Sequence, residues 1–240
     1  MVGLGALANT ALIVAGGLAG LAGGRLITPR IRDTLMKATA LCVMFVGVGG
    51  ALEQMLSVSG GHLVSGGTAM MIVSMAAGAL IGEVLDLDGR FEGFGIWLKR
   101  ASRNEGDGSF VEAFVTASLT VSIGAMAIVG SIQDGVSGDP STLLLKGVLD
   151  CIIVCVMTAS MGRGCIFSAV PVLVFEGVLT AASRLLAPIM TGSALSNLSF
   201  VGSMLIFCVG VNLIWPKTFR PANMLPSVVI AVVWALVAGA

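Results

Sequence analysis

The sequence predicts an all-α membrane protein with about eight transmembrane helices. Hydrophobic residues fill 56% of its 240 positions and charged residues only 11%, and the mean hydropathy is +1.02. A soluble core cannot absorb that fraction of apolar side chains, whereas a polytopic helical membrane protein needs it. We therefore expect the lipid bilayer, and no nucleic acid, as the partner of this chain.

Eight segments are long and apolar enough to cross roughly 30 Å of hydrocarbon, which takes about 20 residues each. They cover residues 3–23, 34–54, 64–84, 110–133, 142–161, 165–187, 196–215 and 222–239. The connection 85–109 is the one long link between them, so a separate soluble domain is excluded and residues 1–240 form a single membrane domain.

The Lys and Arg residues are divided unequally between alternate ends of these spans. Lys146 and Arg184 fall at one end. The larger group, at the other end, comprises Arg25, Arg30, Arg32, Lys37, Arg90, Lys99, Arg100, Arg103, Arg163, Lys217 and Arg220. The positive-inside rule places this group in the cytoplasm of a bacterial inner membrane, with both termini outside.

Span 1 carries small residues at helical spacing, with Gly16, Gly20 and Gly24 four positions apart. Such a stripe lets two helix backbones approach closely in lipid. Arg25 follows the apolar stretch instead of preceding it, which favours a retained span over a cleaved signal peptide. Asn9, about two turns inside this span, is a candidate for a ligand contact or for a hydrogen bond between helices.

Residues 86–109 hold nine of the 26 charged residues of the protein and form the predicted cytoplasmic linker. Within it, FEGFGIWLKRA alternates aromatic and polar residues at loosely helical spacing. This pattern predicts an amphipathic helix lying at the membrane interface.

The central pair of spans, residues 110–163, begins with a continuous helix predicted over Phe110 to Gly135. Gln133 near its end is read as part of a turn or as a gate. The second span of the pair contains Lys146 and Asp150 one turn apart. Because a carboxylate within a span is costly and commonly marks an ion or substrate path, Asp150 is the leading candidate site residue; the alternative is a structural ion pair with Lys146.

Span 6 contains Pro171 and Glu176, and Glu176 should lie near the membrane midplane, as should Asp150. Proline removes one helical hydrogen bond and frees a carbonyl. Freed backbone groups at this depth are tolerated where they line a cavity, so spans 6 and 8, with Pro171 and Pro226, are the predicted broken helices at a site. Asn212 and Asn223 are expected to flank an inner vestibule.

Two three-span units are predicted to be inverted copies of each other. The segment 38–49, ATALCVMFVGVG, aligns with 201–212, VGSMLIFCVGVN, so that Gly47 meets Gly210; the segment 12–18 aligns with 173–179. Spans 1–3 (residues 1–85) thus map on spans 6–8 (residues 164–240), and an offset of five spans reverses orientation. Inverted repeats of this kind are common in secondary transporters.

Several stretches together resemble the DUF554 family of bacterial integral membrane proteins. They are GLGALANTALIVAGGLAG, TASLTVSIGAMAIVGSIQDGVSGDPSTLLLKGVLD, FSAVPVLVFEG and NMLP. The resemblance covers nearly the whole chain and implies an integral membrane protein related to transport. Glu176 stands where the family pattern leads us to expect Gln, and Arg163 stands in a turn that is usually small and neutral.

Together these features predict a secondary transporter of a small solute or ion, working by alternating access and coupled to H⁺ or Na⁺. The expected binding residues are Asp150, Glu176, Asn9, Pro171, Gln133, Asn212 and Asn223. The alternative is a channel or pore-forming homo-oligomer. We expect the chain to form a homo-oligomer, with a dimer favoured. No enzyme motif, metal site or cofactor is predicted.

Overall fold

The computed structural model describes residues 2–24, 28–104, 106–122 and 125–237, and it is almost entirely helical over them. The helices are α1 (Leu4–Gly24), α2 (Pro29–Met55), α3 (Thr68–Leu85), α4 (Leu87–Ala101), α5 (Phe110–Ser122), α6 (Ala125–Ser137), α7 (Ser141–Met161), α8 (Ala169–Leu186), α9 (Gly192–Ile214), α10 (Pro221–Met224) and α11 (Pro226–Val237). A 3₁₀ turn, Arg163–Ser168, leads directly into α8. Arg25 and residues 238–239 of the predicted eighth span lie outside the described residues.

The described helices supply six spans by length and composition, which makes the chain an all-α membrane protein. These six are α1, α2, α3, α7, the 3₁₀ turn with α8, and α9. The predicted fourth span is a pair of helices, α5 and α6, bent by 62° at a short break. Counting that pair as one span gives seven. The predicted eighth span is shorter, an apolar stretch of two helices over Pro221–Val237.

The continuous helix predicted over Phe110 to Gly135 is therefore wrong. Helix α5 ends at Ser122 and α6 begins at Ala125, and the sequence over these four positions is Ser-Ile-Gly-Ala. Glycine at such a position weakens a helix by about 1 kcal/mol relative to Ala, and tertiary contacts then decide how the two halves are oriented.

A β-hairpin occupies part of the loop between α2 and α3, where the sequence suggested no strand. Strands β1 (Leu56–Ser59) and β2 (His62–Ser65) pair antiparallel, with Ser59 opposite His62. The two connecting glycines have φ of 59° and 80°, as a two-residue hairpin turn with left-handed backbone requires. Both strands are exposed.

The small-residue stripe of α1 packs along α7, as the spacing of its glycines predicts. A Cβ placed on Gly16 would lie 2.9 Å from the Cα of Cys151, and one on Gly20 would lie 3.0 Å from the Cα of Cys155. Residue numbers increase in the same direction along both helices from one contact to the next, so α1 and α7 are parallel. Only glycine permits this approach.

Helices α2 and α9 cross at two glycines and run antiparallel. A Cβ on Gly47 would lie 2.7 Å from the carbonyl oxygen of Ser203 and 2.6 Å from the amide nitrogen of Phe207.

The second glycine of this crossing makes the matching contacts. A Cβ on Gly210 would lie 3.2 Å from the carbonyl oxygen of Ala40 and 2.8 Å from the amide nitrogen of Met44. The two backbones are therefore in direct contact at both positions.

Helix α3 packs against the broken pair α10 and α11 in the same antiparallel manner. A Cβ on Gly78 would lie 2.5 Å from the Cβ of Ser227, and one on Gly82 would lie 2.9 Å from the Cα of Asn223. The break between α10 and α11 coincides with Pro226, which the sequence singled out.

Helix α4 lies where the linker pattern predicts an amphipathic helix. Its residue Leu98 is buried with Phe110 and Phe114 of α5, whereas Trp97 is 59% exposed and stacks on Phe94 with ring centroids 5.6 Å apart. The Asp86 side chain accepts a hydrogen bond from the Gly89 amide and caps its first turn.

Candidate functional site

Three of the predicted site residues come together in the interior of the helix bundle. Asn9 of α1 donates a hydrogen bond from Nδ2 to Oε1 of Glu176 on α8, at 2.7 Å. Lys146 of α7 lies 3.5 Å from the same Glu176 oxygen and forms a salt bridge with Asp150 one turn along its own helix. We call Asn9, Lys146, Asp150 and Glu176 the buried polar cluster.

The buried polar cluster is sealed from the surface of the protein. Asn9 and Glu176 are 0% exposed, Asp150 is 5% exposed and Lys146 is 6% exposed. Charges at such depth are tolerated when they are paired and hydrogen bonded, because each loses its hydration. The hydrogen bond from α1 to α8 and the ion pairs of Lys146 on α7 meet part of that condition.

The break in the bent pair supplies another partner for the cluster. The Lys146 ammonium donates a hydrogen bond to the carbonyl oxygen of Val121, at 2.7 Å. Val121 belongs to the last turn of α5, where carbonyl groups have no partner within their own helix. The free carbonyl group at the end of α5 and the buried Lys146 ammonium therefore satisfy each other's hydrogen-bonding requirement.

Close backbone packing fixes the position of Asn9. A Cβ on Gly147 would lie 3.0 Å from the Cα of Asn9 and 3.3 Å from its Oδ1. Helix α1 can bring the Asn9 amide to Glu176 because α7 presents a glycine at this point.

Two buried atoms of the cluster have no hydrogen-bond partner among the described residues. They are Oδ1 of Asn9 and Oε2 of Glu176. Buried polar atoms without a partner are rare and need an explanation. This pair of atoms gives the cluster capacity to bind a proton or a small ion.

Asp134, directly after Gln133 in the sequence, is a third buried carboxyl group. It is 0% exposed, and its Oδ2 accepts a hydrogen bond from the amide nitrogen of Gly5 in the first turn of α1, at 3.0 Å. A carboxylate is stabilised by the positive end of a helix. The signal in the sequence was an acidic residue next to Gln133 at the end of an apolar segment.

Pro171 does not join the cluster, contrary to the prediction. It lies in the first turn of α8, where its missing N–H breaks no helical bond, so α8 continues unbroken to Leu186. It lines an apolar groove of about 550 Å³ between α4 and α8, with Phe91 and Phe94. Glu176 lies five positions after Pro171, which turns the two side chains toward different sides of the helix.

Gln133 also lies away from the cluster and braces a turn. Its Nε2 donates to Oδ2 of Asp139 at 2.6 Å, and its Oε1 accepts from the hydroxyl of Thr142 at 2.7 Å. The Ser141 amide, followed by the Ser141 hydroxyl, holds the pKa of the Asp139 carboxyl below its ordinary value. Of the two interpretations of Gln133, these contacts favour the turn over the gate.

Asn212 and Asn223 hold loops at the opposite end of the bundle. Asn212 donates to the Phe219 carbonyl at 2.8 Å and accepts from the Phe219 amide at 2.9 Å. Asn223 accepts from the Asp88 amide at 2.7 Å and donates to Glu83 at 2.6 Å. Both side chains are used in bracing contacts and do not reach the buried polar cluster.

These features define a polytopic helical membrane protein with a buried charged cluster at the meeting point of α1, α7, α8 and a broken span. The model of the DUF554 family, described as proteins of unknown function, matches residues 4–236 of the chain. The chain belongs to the DUF554 family.

Two curated relatives extend over nearly the whole chain. The Uncharacterized membrane protein YdfK of Bacillus subtilis (strain 168) is 27% identical over 226 residues, which are 94% of this chain and 93% of the relative. The Uncharacterized protein YqgA of Escherichia coli (strain K12) is 25% identical over 235 residues, 95% of this chain and 94% of the relative. No solved structure matches the chain.

Proposed function

We propose that this protein is a secondary transporter of a small solute or ion, working by alternating access and coupled to H⁺ or Na⁺. The observation that carries the proposal is the buried polar cluster. Two carboxyl groups and one ammonium are built into apolar spans, which is costly and typical of ion or substrate pathways. Asp150, Glu176 and Asn9 are the proposed binding residues, with Lys146 as their cationic partner.

The depth of the cluster supports this function. Asp150 lies nine residues after the start of α7, about 13 Å along the helix. Glu176 lies ten residues before the end of α8, about 15 Å from that end. Transporters bind their coupling ions near the bilayer midplane, at the interface of repeated units and beside interrupted helices.

An inverted repeat is part of the proposal, and the crossing of α2 and α9 supports it. Gly47 meets the residues three and seven positions before Gly210, and Gly210 meets the residues three and seven positions before Gly47. A twofold axis that exchanges the two helices produces this reciprocity. Because the helices are antiparallel, such an axis is perpendicular to them and lies in the plane of the membrane.

Eight spans with alternating direction complete the proposed architecture. The parallel pair α1 and α7, and the antiparallel pairs α2 with α9 and α3 with α10 and α11, agree with odd and even positions in that count. We assign the end that carries Arg90, Arg163 and Arg220 to the cytoplasm of a bacterial inner membrane. Both termini are then outside.

Transport is tested with purified protein in liposomes. Panels of amino acids, organic acids, sugars and metal ions are applied to a solid-supported membrane, and transient currents are recorded under H⁺ and Na⁺ gradients. Saturable currents driven by one of the gradients support the transporter. Unitary ohmic currents in planar bilayers, without saturation, would instead identify the channel.

The role of Asp150 is tested by Asp150→Asn with Asp33→Asn as a matched control. Asp33 also pairs with a lysine four residues away, Lys37, but that pair is largely exposed. We expect Asp150→Asn to abolish coupled transport and Asp33→Asn to leave it unchanged. Full transport with unaltered pH dependence in Asp150→Asn would reduce Asp150 to a structural partner of Lys146.

A homodimer without enzymatic activity is the assembly we propose. Exposed apolar side chains along α2, including Leu41, Phe45 and Val48, offer a face for lipid or for a second copy. Native mass spectrometry in the presence of lipid, with crosslinking in membranes, gives the oligomeric state. A monomer in both measurements removes the dimer from the proposal.

A further inference from the structure

One hydrogen bond joins the Asn9 amide to the Glu176 carboxyl group. Asn9 Nδ2 donates to Glu176 Oε1 at 2.7 Å. The remaining oxygen of each group, Asn9 Oδ1 and Glu176 Oε2, is buried without a partner in the part of the chain that the structure describes. If Glu176 is ionised, both of these oxygens are acceptors and neither can satisfy the other.

A protonated carboxyl group changes that balance, because it gains one O–H donor. A proton on Oε2 of Glu176 can be donated to Oδ1 of Asn9 and close a ring of two hydrogen bonds between acid and amide. One proton thus satisfies two buried oxygens at once. Leaving them unsatisfied would be costly at 0% exposure.

The charges of the cluster lead independently to the same conclusion, because the cluster needs one more positive charge to be neutral. Lys146 contributes one positive charge, whereas Asp150 and Glu176 contribute two negative charges when ionised. The Lys146 ammonium is engaged by Asp150 and by the Val121 carbonyl and stays 3.5 Å from Glu176. A proton on Glu176 makes the cluster neutral without a metal ion.

Other charged groups on the helices around α8 do not supply that charge. Helix α1 contributes the neutral Asn9, and Asp134 of α6 is held by the Gly5 amide. Glu112 of α5 and Arg163 of the 3₁₀ turn lie in the first turns of their elements and are exposed. Arg184 in the last turn of α8 is exposed as well, and Arg90 of α4 lines the apolar groove beside Pro171. The neighbours that bear on Glu176 are therefore Lys146 and Asp150.

We propose that Glu176 is the proton-binding residue and that H⁺, not Na⁺, is the coupling ion. This inference rests on the proposed function. In the state described, the proton is covalently bound to Oε2 and donated to Asn9. On release, the O–H bond breaks, the proton passes to water on the open side, and the Glu176 carboxylate keeps the Lys146 ammonium, which already lies 3.5 Å from its Oε1, as its partner. The ammonium occupies the position between the carboxyl groups that Na⁺ would need.

Difference infrared spectroscopy of the full-length protein in lipid nanodiscs tests the protonation directly. The C=O stretch of a buried carboxylic acid absorbs at a higher frequency than the amide band, and this frequency shifts in deuterated water. We expect this band at neutral pH in the wild type, its loss in Glu176→Gln, and its retention in Asp150→Asn. Gln keeps both hydrogen bonds to Asn9, so Glu176→Gln is expected to fold. Absence of the band at neutral pH, or its survival in Glu176→Gln, overturns the inference.

Asn9→Ser provides a second measurement that does not depend on Glu176→Gln. Removing the amide partner is expected to shift the frequency of the acid band without abolishing it, because the proton remains on Glu176. An unchanged frequency would show that the acid does not donate to Asn9.

The two proposals fail in different ways. If the acid band is present but the liposomes show no gradient-driven transport, the protonated pair is supported and the transporter is overturned. If transport is driven by Na⁺ at constant pH and the band is absent, the transporter is supported and the proton inference is overturned.

Discussion

The buried polar cluster depends on Lys146, because it provides the cation that faces both Asp150 and Glu176. Replacing a complete buried ion pair with apolar residues is often tolerated, whereas removing one partner leaves an uncompensated charge. The position of Lys146 in the chain also matters. One turn before Asp150 and opposite the end of α5, its side chain reaches a carboxylate and a free carbonyl together.

Lys146→Met is expected to lower the stability of the protein by about 3–5 kcal/mol, because the Asp150 charge loses its partner. Thermal unfolding in detergent, followed by size-exclusion chromatography, measures the effect. Lys146→Met combined with Asp150→Leu should recover a large part of the loss.

Lys37→Met is the matched control for this experiment. Lys37 pairs with Asp33 at 2.7 Å on the surface of α2, and exposed pairs contribute about 0–1 kcal/mol. Equal losses of stability in the two single variants would contradict a buried ion pair at Lys146.

At the scale of elements, the molecule is assembled through glycines at helix crossings and through one broken span. Helix α1 contacts α7 backbone to backbone along its glycine stripe, and this contact carries Asn9 toward Glu176. The break after α5 leaves the Val121 carbonyl free to accept from Lys146. Packing and the polar cluster are thus parts of one arrangement.

Gly20→Ala is expected to destabilise the protein by about 1–3 kcal/mol, since the added methyl group overlaps the backbone of α7 at Cys155. Gly23→Ala is the control on the same helix, because a Cβ at Gly23 meets nothing within 4 Å. It should be neutral or stabilising by up to about 1 kcal/mol. Melting temperatures in one detergent compare them, and similar losses would argue against close α1 and α7 packing.

At the scale of the whole molecule, the proposed twofold axis relates α2 to α9 and sets the two halves of the chain in opposite orientations. The charge distribution is consistent with one defined orientation in the membrane. Both properties lead to experiments on the intact protein.

Gly47→Ala and Gly210→Ala are expected to destabilise the protein to a similar extent, by about 1–3 kcal/mol each, since both place a methyl group against backbone atoms at equivalent positions. Gly49→Ala, where nothing lies within 4 Å, serves as the control. Chemical or thermal unfolding gives the comparison. A large loss in only one of the two glycine variants would weaken the repeat.

Cysteine labelling of a cysteine-free background tests orientation. We expect Ser59→Cys in the β-hairpin to react with a membrane-impermeant maleimide on intact cells, and Gly106→Cys in the loop before α5 to react only after permeabilisation, since the basic end should be cytoplasmic. The reverse pattern would invert the proposed topology.

The sequence by itself determined the class of the molecule and the location of six spans, because membrane insertion depends on the length and hydrophobicity of each local segment. It also indicated Asp150 and Glu176 as buried charges, since each interrupts an apolar run. The i, i+4 spacing predicted the pairing of Lys146 with Asp150 for the same local reason. The crossing glycines of α1 were equally readable from their spacing.

The tertiary structure decided which of these residues meet. Asn9 and Glu176 are 167 positions apart. The Val121 carbonyl accepts from Lys146 because α5 ends there, in a span that the sequence predicted to be continuous. The same holds for Pro171, Gln133, Asn212 and Asn223, which the structure assigns to a groove and to bracing contacts. Hydropathy gives the depth of a residue, but the partner of a buried polar group depends on how the helices pack and rotate against each other, and those contacts are not local in the chain.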